Sequence, residues 1–275
     1  MSQQLTCTVA LVGAGSMGGA VARGIVESGV VGASRVLVAD HHEDTRLELA
    51  ERGMAIFPDE ASLPVEKADV VVLAVKPQVM DAVMAALRDR VAGALVVSVA
   101  AGVSCAAIER ALPGARVVRA MPNLPVQVRS GATAVAAGAS ATPADLDLAC
   151  ELFGALGVAC RMGEDQLEVA GSVVGTSPAF FSLFVDTLTR AGVAAGLPSE
   201  ACRAMLEATM AGCARQLLES GTHPRAYVEG VTSPGGTTAA ALRALEPALF
   251  SASFAAVDAA NARAAELAGS QPAER

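Results

Sequence analysis

Six residues near the start of the chain constrain its fold more than any others. Gly13-Ala14-Gly15-Ser16-Met17-Gly18 fits the spacing G-x-G-x-x-G. The spacing alone is weak, because glycine-rich turns are common. Its setting makes it strong. The apolar run Thr8-Val9-Ala10-Leu11-Val12 precedes it and reads as a buried strand, and a helical pattern from Met17 to about Glu27 follows, with Gly29 as its stop. In such a strand–turn–helix unit Gly13 permits the tight turn, Gly15 lets backbone approach a pyrophosphate, and Gly18 lets helix lie close to strand. The helix N-terminus then faces the negative charge. Gly13, Ala14, Gly15, Ser16, Met17 and Gly18 are therefore the expected cofactor cradle; an ordinary glycine-rich turn is the plainer reading.

The same alternation continues. Arg35 to Ala39 reads as a second strand and Glu43 to Arg52 as a helix. Val70 to Val75 is a run of branched apolar residues between Asp69 and Lys76-Pro77, the pattern of a central parallel strand. Pro77 suits the first turn of the next helix. Leu95 to Val99 repeats the theme and ends in Ala100-Ala101-Gly102, and Val117-Val118 and Ala132 to Ala136 look like further strands. The expected fold is α/β, an N-terminal Rossmann-type domain with a parallel sheet. Near Gly163 the pattern becomes almost wholly helical, so the boundary is placed there: residues 1–163 as the dinucleotide-binding domain, residues 164–275 as an all-helical domain.

Asp40 ends the second strand. An acid at this place accepts hydrogen bonds from the adenosine ribose and repels a 2′-phosphate, which favours NADH. His41, His42 and Arg46 follow and could offset the repulsion, so NADPH stays open; Asp40 could also merely cap the next helix.

Composition narrows the partners. Of the 275 residues 53% are hydrophobic and only 17% charged, which argues against disorder. Much of the apolar content is Ala and Val, which predicts close helix packing, including across subunits. Net charge is −8 with no basic run, so no nucleic-acid partner is expected. The six cysteines lack metal-ligand spacing and read as reduced thiols of a cytoplasmic protein; no metal is expected. The start of the chain lacks the basic residues of a signal peptide. The apolar stretch from Val169 to Val185 is interrupted by Ser172, Thr176, Ser177 and Pro178, and reads as a buried helix rather than a membrane span, which needs about 20 apolar residues.

Missing side chains narrow the chemistry. Oxidising an alcohol needs a group to take the hydroxyl proton, commonly His or Lys. The helical half holds one His, His223, and no Lys; the only lysines are Lys67 and Lys76. Hydride reduction of an imine asks for less. A protonated imine already draws hydride, and the protein mainly aligns it. Ser, Thr and backbone N–H groups suffice for that. They cluster at Ser233-Pro234-Gly235-Gly236-Thr237-Thr238, at the start of a helix, where a carboxylate can be held.

That segment resembles the Ser-Pro-Gly-Gly-Thr-Thr signature of pyrroline-5-carboxylate reductases. Further matching segments occur in the same order: the glycine loop, Ala74-Val75-Lys76-Pro77-Gln78, Ala100-Ala101-Gly102-Val103, Arg119-Ala120-Met121-Pro122-Asn123, Gly131-Ala132-Thr133 and Ser177-Pro178-Ala179-Phe180. The resemblance covers about residues 8 to 268. It implies that Ala74, Val75, Lys76 and Pro77, with Ala100 and Ala101, line the adenosine and nicotinamide ends of NADPH or NADH. It implies that Ser233 to Thr237 hold the substrate carboxylate, with Thr176 and Ser177 also at the substrate, and that the Thr238 hydroxyl meets the ring nitrogen. Lys76 is the competing proton source. The family also implies reduction of L-1-pyrroline-5-carboxylate to L-proline, and an intertwined homodimer that often assembles into a decamer. This sequence departs from the family pattern at Val174 and Phe180, each lacking a hydroxyl, at Leu124, where Thr is usual, and at Gly221, where many members carry Glu. A reductase of another cyclic imino acid, or a non-catalytic nucleotide-binding regulator on the same fold, are the alternative readings; the intact Ser233–Thr238 segment argues against the regulator.

Overall fold

In a computed structural model, which describes residues 4–269, the chain divides into two compact units, residues up to 176 together with those from 263 on, and residues 177–262. The residue-163 boundary expected from the sequence falls between a strand ending at Arg161 and a helix beginning at Glu164.

The first unit is built on a single sheet. Its strands are β1 (Val9–Val12), β2 (Val36–Ala39), β3 (Ala55–Phe57), β4 (Val70–Leu73), β5 (Leu95–Ser98), β6 (Arg116–Pro122), β7 (Gly131–Ala137) and β8 (Gly157–Arg161), in spatial order β3-β2-β1-β4-β5-β6-β7-β8. β1, β4 and β5 are buried along their whole length, as unbroken apolar runs covered on both faces must be. Helices α1 (Ser16–Glu27), α2 (Glu43–Glu51), α3 (Pro77–Leu87), α4 (Cys105–Ala111) and α5 (Pro143–Gly154) supply most of the crossovers. One core lies between the sheet and α1 and α5, centred on Leu11, Ile25, Val72 and Phe153; another lies on the opposite face, centred on Leu73, Met80, Leu87 and Ile108.

Seven pairings make up the sheet, and all are parallel except β6 with β7. The expectation of a parallel sheet thus fails at one place, for a geometric reason. Only Asn123 to Ser130 link β6 to β7, and a parallel return needs a crossover of about a dozen residues or more. A short 3₁₀ turn, Leu124–Val128, reverses the chain instead, with Arg129 left-handed at φ 55°. β3 and β8 were not foreseen from the sequence. β3 is short and β8 is partly exposed at the edge, so neither carries a strong pattern.

After β8, α6 (Glu164–Ala170) runs into a π-helical turn, Gly171–Gly175. The second unit holds α7 (Ser177–Ala194), α8 (Ser199–Ser220), α9 (Pro224–Gly230) and the larger part of α10 (Thr237–Gly269). α7 and α8 approach closely: a Cβ on Gly192 would strike the sulfur of Cys202, which is buried. The apolar stretch after Val169 is helical as expected but is not buried within one chain. The stretches Glu164–Ala194 and Thr237–Glu266 are apolar and long enough to cross a bilayer, yet only 11% and 0% of their most apolar windows are buried. Phe181, Leu183, Met205, Phe250 and Phe254 all stand exposed.

Candidate active site

The strand order reverses direction at β1, whose neighbours are β2 and β4. In open α/β sheets the crevice at such a switch point, beyond the carboxyl ends of the strands, takes the ligand. The loops that follow β1, β2, β4 and β5 there are Gly13–Gly15, Asp40, Ala74–Lys76 and Val99–Ser104. The cofactor residues expected from the sequence are thereby brought to one end of one sheet.

The glycine loop is shaped by this crowding. Gly13 donates its N–H to Ala39 O at 2.8 Å and takes φ +87°. A side chain there would be strained, and its Cβ would stand 2.7 Å from Val75 Cγ1. A Cβ on Gly18 would overlap the Gly13 carbonyl oxygen and crowd Ala74. Gly15 differs. Nothing lies within 4 Å of where its Cβ would be. The packing of the protein therefore does not itself require glycine at position 15, and its backbone stands open to a ligand. Gly15 is also the N-cap of α1 and brings no side chain to the first-turn N–H groups, which leaves those donors to a bound anion. The residues fit a dinucleotide pyrophosphate.

Asp40 is held by the same loop. Its Oδ2 accepts the Ala14 N–H at 2.6 Å, and its Oδ1 accepts the His42 N–H at 2.8 Å and faces His42 Nδ1 at 3.0 Å. Burial pushes its carboxyl up, but these hydrogen bonds outweigh it and hold the group below the ordinary carboxylate value. Arg46 reaches back to Asp40 O at 2.7 Å. Asp40 therefore does more than cap α2: its Oδ1 serves the N–H of the N-cap residue His42, and its Oδ2 ties β2 to the glycine loop.

Beyond β4, the Ala74 N–H reaches Val12 O at 2.9 Å. Lys76 is exposed at the N-cap of α3 with Pro77 at the first position. Its ammonium makes no ion pair among the described residues. Beyond β5, Ala100 is buried, Ala101 is exposed, and the Ala100 N–H meets Ser98 Oγ at 3.3 Å. Thr176 closes the π-helical turn, its hydroxyl donating to Ser172 O at 2.6 Å.

Ser177 and the Ser233–Thr238 segment belong to the second unit. Ser233 accepts the Gly236 N–H through its carbonyl at 3.0 Å, with Pro234 next and Gly235 at φ +71°. Proline then left-handed glycine is the pattern of a type II turn. This turn delivers Thr237 and the half-buried Thr238 to the first turn of α10. Ser233, Gly235 and Thr237 are exposed. The hydroxyl of Thr232 is committed to Val228 O.

Four polar side chains of the first unit carry no role in the sequence reading. Arg119 is 4% exposed in the middle of β6 and pairs with Glu164 at 3.1 Å and Glu168 at 2.7 Å. Asn123, also buried, accepts the Ala132 N–H at 2.8 Å and donates to Val174 O at 3.2 Å, bracing the π-helical turn. An arginine inside an apolar strand, and two glutamates one helical turn apart, were the available signals.

Comparison with known proteins extends these findings. A family model described as pyrroline-5-carboxylate reductase dimerisation matches residues 164–267, the region that holds both exposed apolar helices. One described as NADP oxidoreductase coenzyme F420-dependent matches residues 8–102. A pyrroline-5-carboxylate reductase of Methanosarcina acetivorans is 35% identical over 94% of this chain and 97% of its own length, and one of Arabidopsis thaliana is 35% identical over 94% and 95%. The solved pyrroline-5-carboxylate reductase of Coxiella burnetii superposes with a TM-score of 0.90 at 33% identity, covering 96% of this chain and 99% of its own. A Plasmodium falciparum pyrroline carboxylate reductase with NADP bound shares the fold, with a TM-score of 0.82 at 24% identity over 98% and 100%. With likeness of this order running nearly end to end through both units, the chain belongs to the pyrroline-5-carboxylate reductase family.

Proposed function

We propose that this chain reduces L-1-pyrroline-5-carboxylate to L-proline, the last step of proline biosynthesis, using NADH or NADPH. The observation that carries the reading is the pairing of a dinucleotide cradle with an Ser-Pro-Gly-Gly-Thr-Thr turn in one chain of this family. The reduced nicotinamide supplies a hydride. The carbon of the C=N bond takes the hydride, and the nitrogen keeps or gains one proton to become the ring amine.

In this reading Gly13 to Gly18 hold the pyrophosphate, Asp40 faces the adenosine ribose, and Ala74–Pro77 with Ala100–Ala101 line the two ends of the cofactor. Exposed N–H groups and hydroxyls of Ser233 to Thr237 hold the substrate carboxylate, with Thr176 and Ser177 beside it. The Thr238 hydroxyl orients or protonates the ring nitrogen. Fixing both reactants in line removes most of the entropy cost of their meeting. Two copies of the chain join through the region matched by the dimerisation model, and further assembly to a decamer covers the remaining apolar surface. We place the enzyme in the cytoplasm, where its six free cysteines stay reduced.

The test is oxidation of NADH and NADPH by the purified protein with L-1-pyrroline-5-carboxylate beside other cyclic imino acids. Turnover of pyrroline-5-carboxylate with the highest kcat/KM in the panel is the expected result. A higher value for another ring shifts the substrate. No turnover of any ring, with cofactor still bound, makes the chain a nucleotide-binding regulator.

A further inference from the structure

Arg119 is the one buried guanidinium of the first unit's described residues, and its geometry is specific. It sits opposite Ser98 across the β5–β6 ladder, directly beneath the loop that leaves β5. Its two terminal nitrogens go to different carboxylates, Nη1 to Glu164 Oε1 and Nη2 to Glu168 Oε1. Those residues are four apart on α6 and so share one face of the helix.

Each of the two carboxylate oxygens also takes a backbone N–H, one from the β5–α4 loop and one from the first residue of α4. Glu164 Oε1 accepts from Cys105 at 2.6 Å, and Glu168 Oε1 accepts from Gly102 at 3.3 Å. Arg119 thus fixes two acceptors, and the acceptors fix the two ends of the segment that follows Ala101. Gly102 turns at φ +74°, and Ser104 caps α4 through the Ala107 N–H. Among the described residues, the charged groups bonded to this backbone come from α6, which runs on through the π-helical turn to Thr176.

We propose that Arg119, Glu164 and Glu168 are positioning residues for hydride transfer: they set the Ala100–Gly102 loop against the nicotinamide end of the cofactor and tie its placement to the chain entering Thr176. This rests on the reading above that Ala100 and Ala101 line that end. The three side chains act through backbone they hold, so loosening them alters the alignment of the reactants more than the affinity for either. A misplacement of about 1 Å can lower a rate by about 100-fold.

The experiment uses the full chain and four variants: Glu168→Ala, Glu168→Gln, Arg119→Lys and Ala101→Val. The measurements are the Kd of NADH by fluorescence, kcat and KM for both reactants, the kinetic isotope effect with NADH deuterated at the transferred position, and the melting temperature. For Glu168→Ala the expected result is a Kd within about threefold of wild type, a kcat lower by about tenfold or more, and a larger isotope effect. Glu168→Gln keeps an oxygen for the Gly102 N–H and should recover part of the kcat. Arg119→Lys, which keeps the charge but loses the fork, should resemble Glu168→Ala.

An unchanged kcat and isotope effect in folded Glu168→Ala and Arg119→Lys overturns the proposal. If Glu168→Ala does not fold, Glu168→Gln and Arg119→Lys decide by the same readouts. A loss of activity that only follows the fall in melting temperature, with the isotope effect unmoved, also overturns it. Ala101→Val separates the two levels of argument, since Ala101 is exposed and tolerates a larger side chain. Unaltered cofactor binding and kcat in Ala101→Val removes the reading on which the proposal rests. An impaired Ala101→Val beside a normal Glu168→Ala leaves that reading standing and removes the proposal alone.

Discussion

The Asp40 carboxylate and the Ala14 N–H are joined at 2.6 Å across 26 residues of chain, so the end of β2 grips the glycine loop directly. The acid therefore has two consequences. It braces the loop through an oxygen that any acceptor could supply, and it places a negative charge near the expected ribose position. Asp40→Asn separates them, because the amide keeps an oxygen for Ala14 while the charge is lost. The expected outcome is a wild type with higher kcat/KM for NADH than for NADPH. In Asp40→Asn the ratio should move toward NADPH by roughly tenfold, about 1.4 kcal/mol. A wild type that prefers NADPH would show that Asp40 does not select the cofactor.

Gly15 and Gly18 should fail in different ways. A methyl group on Gly15 meets open space, whereas one on Gly18 meets the Gly13 carbonyl and Ala74. Gly18→Ala should lower stability by about 1–3 kcal/mol, the range for overpacking a close contact. Gly15→Ala should hold close to the wild-type melting temperature yet raise the KM for both cofactors. Thermal melts and steady-state kinetics on the two variants check this; equal stability losses would remove the assignment of Gly15 to ligand contact.

Thr238 should affect the chemical step. Thr238→Ala is expected to lower kcat by about 1–3 kcal/mol in barrier terms, as for one lost buried hydrogen bond. Ser233→Ala should mainly raise KM, because a carboxylate is held alike before and during hydride transfer. Lys76→Met is the comparison that decides the proton source. A near-normal kcat for Thr238→Ala beside a collapsed kcat for Lys76→Met, at saturating cofactor, would transfer the role to Lys76.

The exposed apolar helices call for a partner. Phe181 is 58% exposed on α7 and Met205 is 56% exposed on α8, and burying such side chains is worth about 1.5–3 kcal/mol each. Light scattering at micromolar concentration should give a dimer or larger, with residues from about Gly171 to Leu218 in the interface. Phe181→Glu should weaken the assembly. A wild-type monomer would contradict the expectation.

Acid should loosen the first unit through Asp145. Burial pushes this carboxyl up, but hydrogen bonds from Thr142 and the Arg116 guanidinium at 2.9 Å hold it below its ordinary value. A carboxyl lowered in the folded state contributes stability above its unfolded value, about 3.9 for Asp, and that contribution is lost as pH falls through the lower folded value. Asp145→Asn should therefore be less stable than wild type at pH 7. The gap should narrow below about pH 4. Urea melts at the two pH values test the sign.

Much of this protein was legible in its residues. The run Val9–Val12 followed by Gly13–Gly18 specifies a strand, a tight turn and a helix, because each apolar strand buried on both faces and each glycine in that spacing has few other uses. Pro234 and Gly235 likewise wrote their turn into the sequence, since proline fixes one dihedral and glycine alone takes the next without strain. Local rules stop where partners are distant. Nothing in the sequence near Arg119 names Glu164 or Glu168, and nothing near Asp40 names Ala14; the first bonds exist because α6 packs over β6 and β7, the second because the sheet sets the ends of β1 and β2 side by side. The reversal between β6 and β7 depended on the length of a loop and on the strand it had to reach. The exposure of α7 and α10 was hidden for the opposite reason: a helix buried inside a chain and one buried between chains carry the same apolar residues, and only the tertiary structure shows which surface is left uncovered.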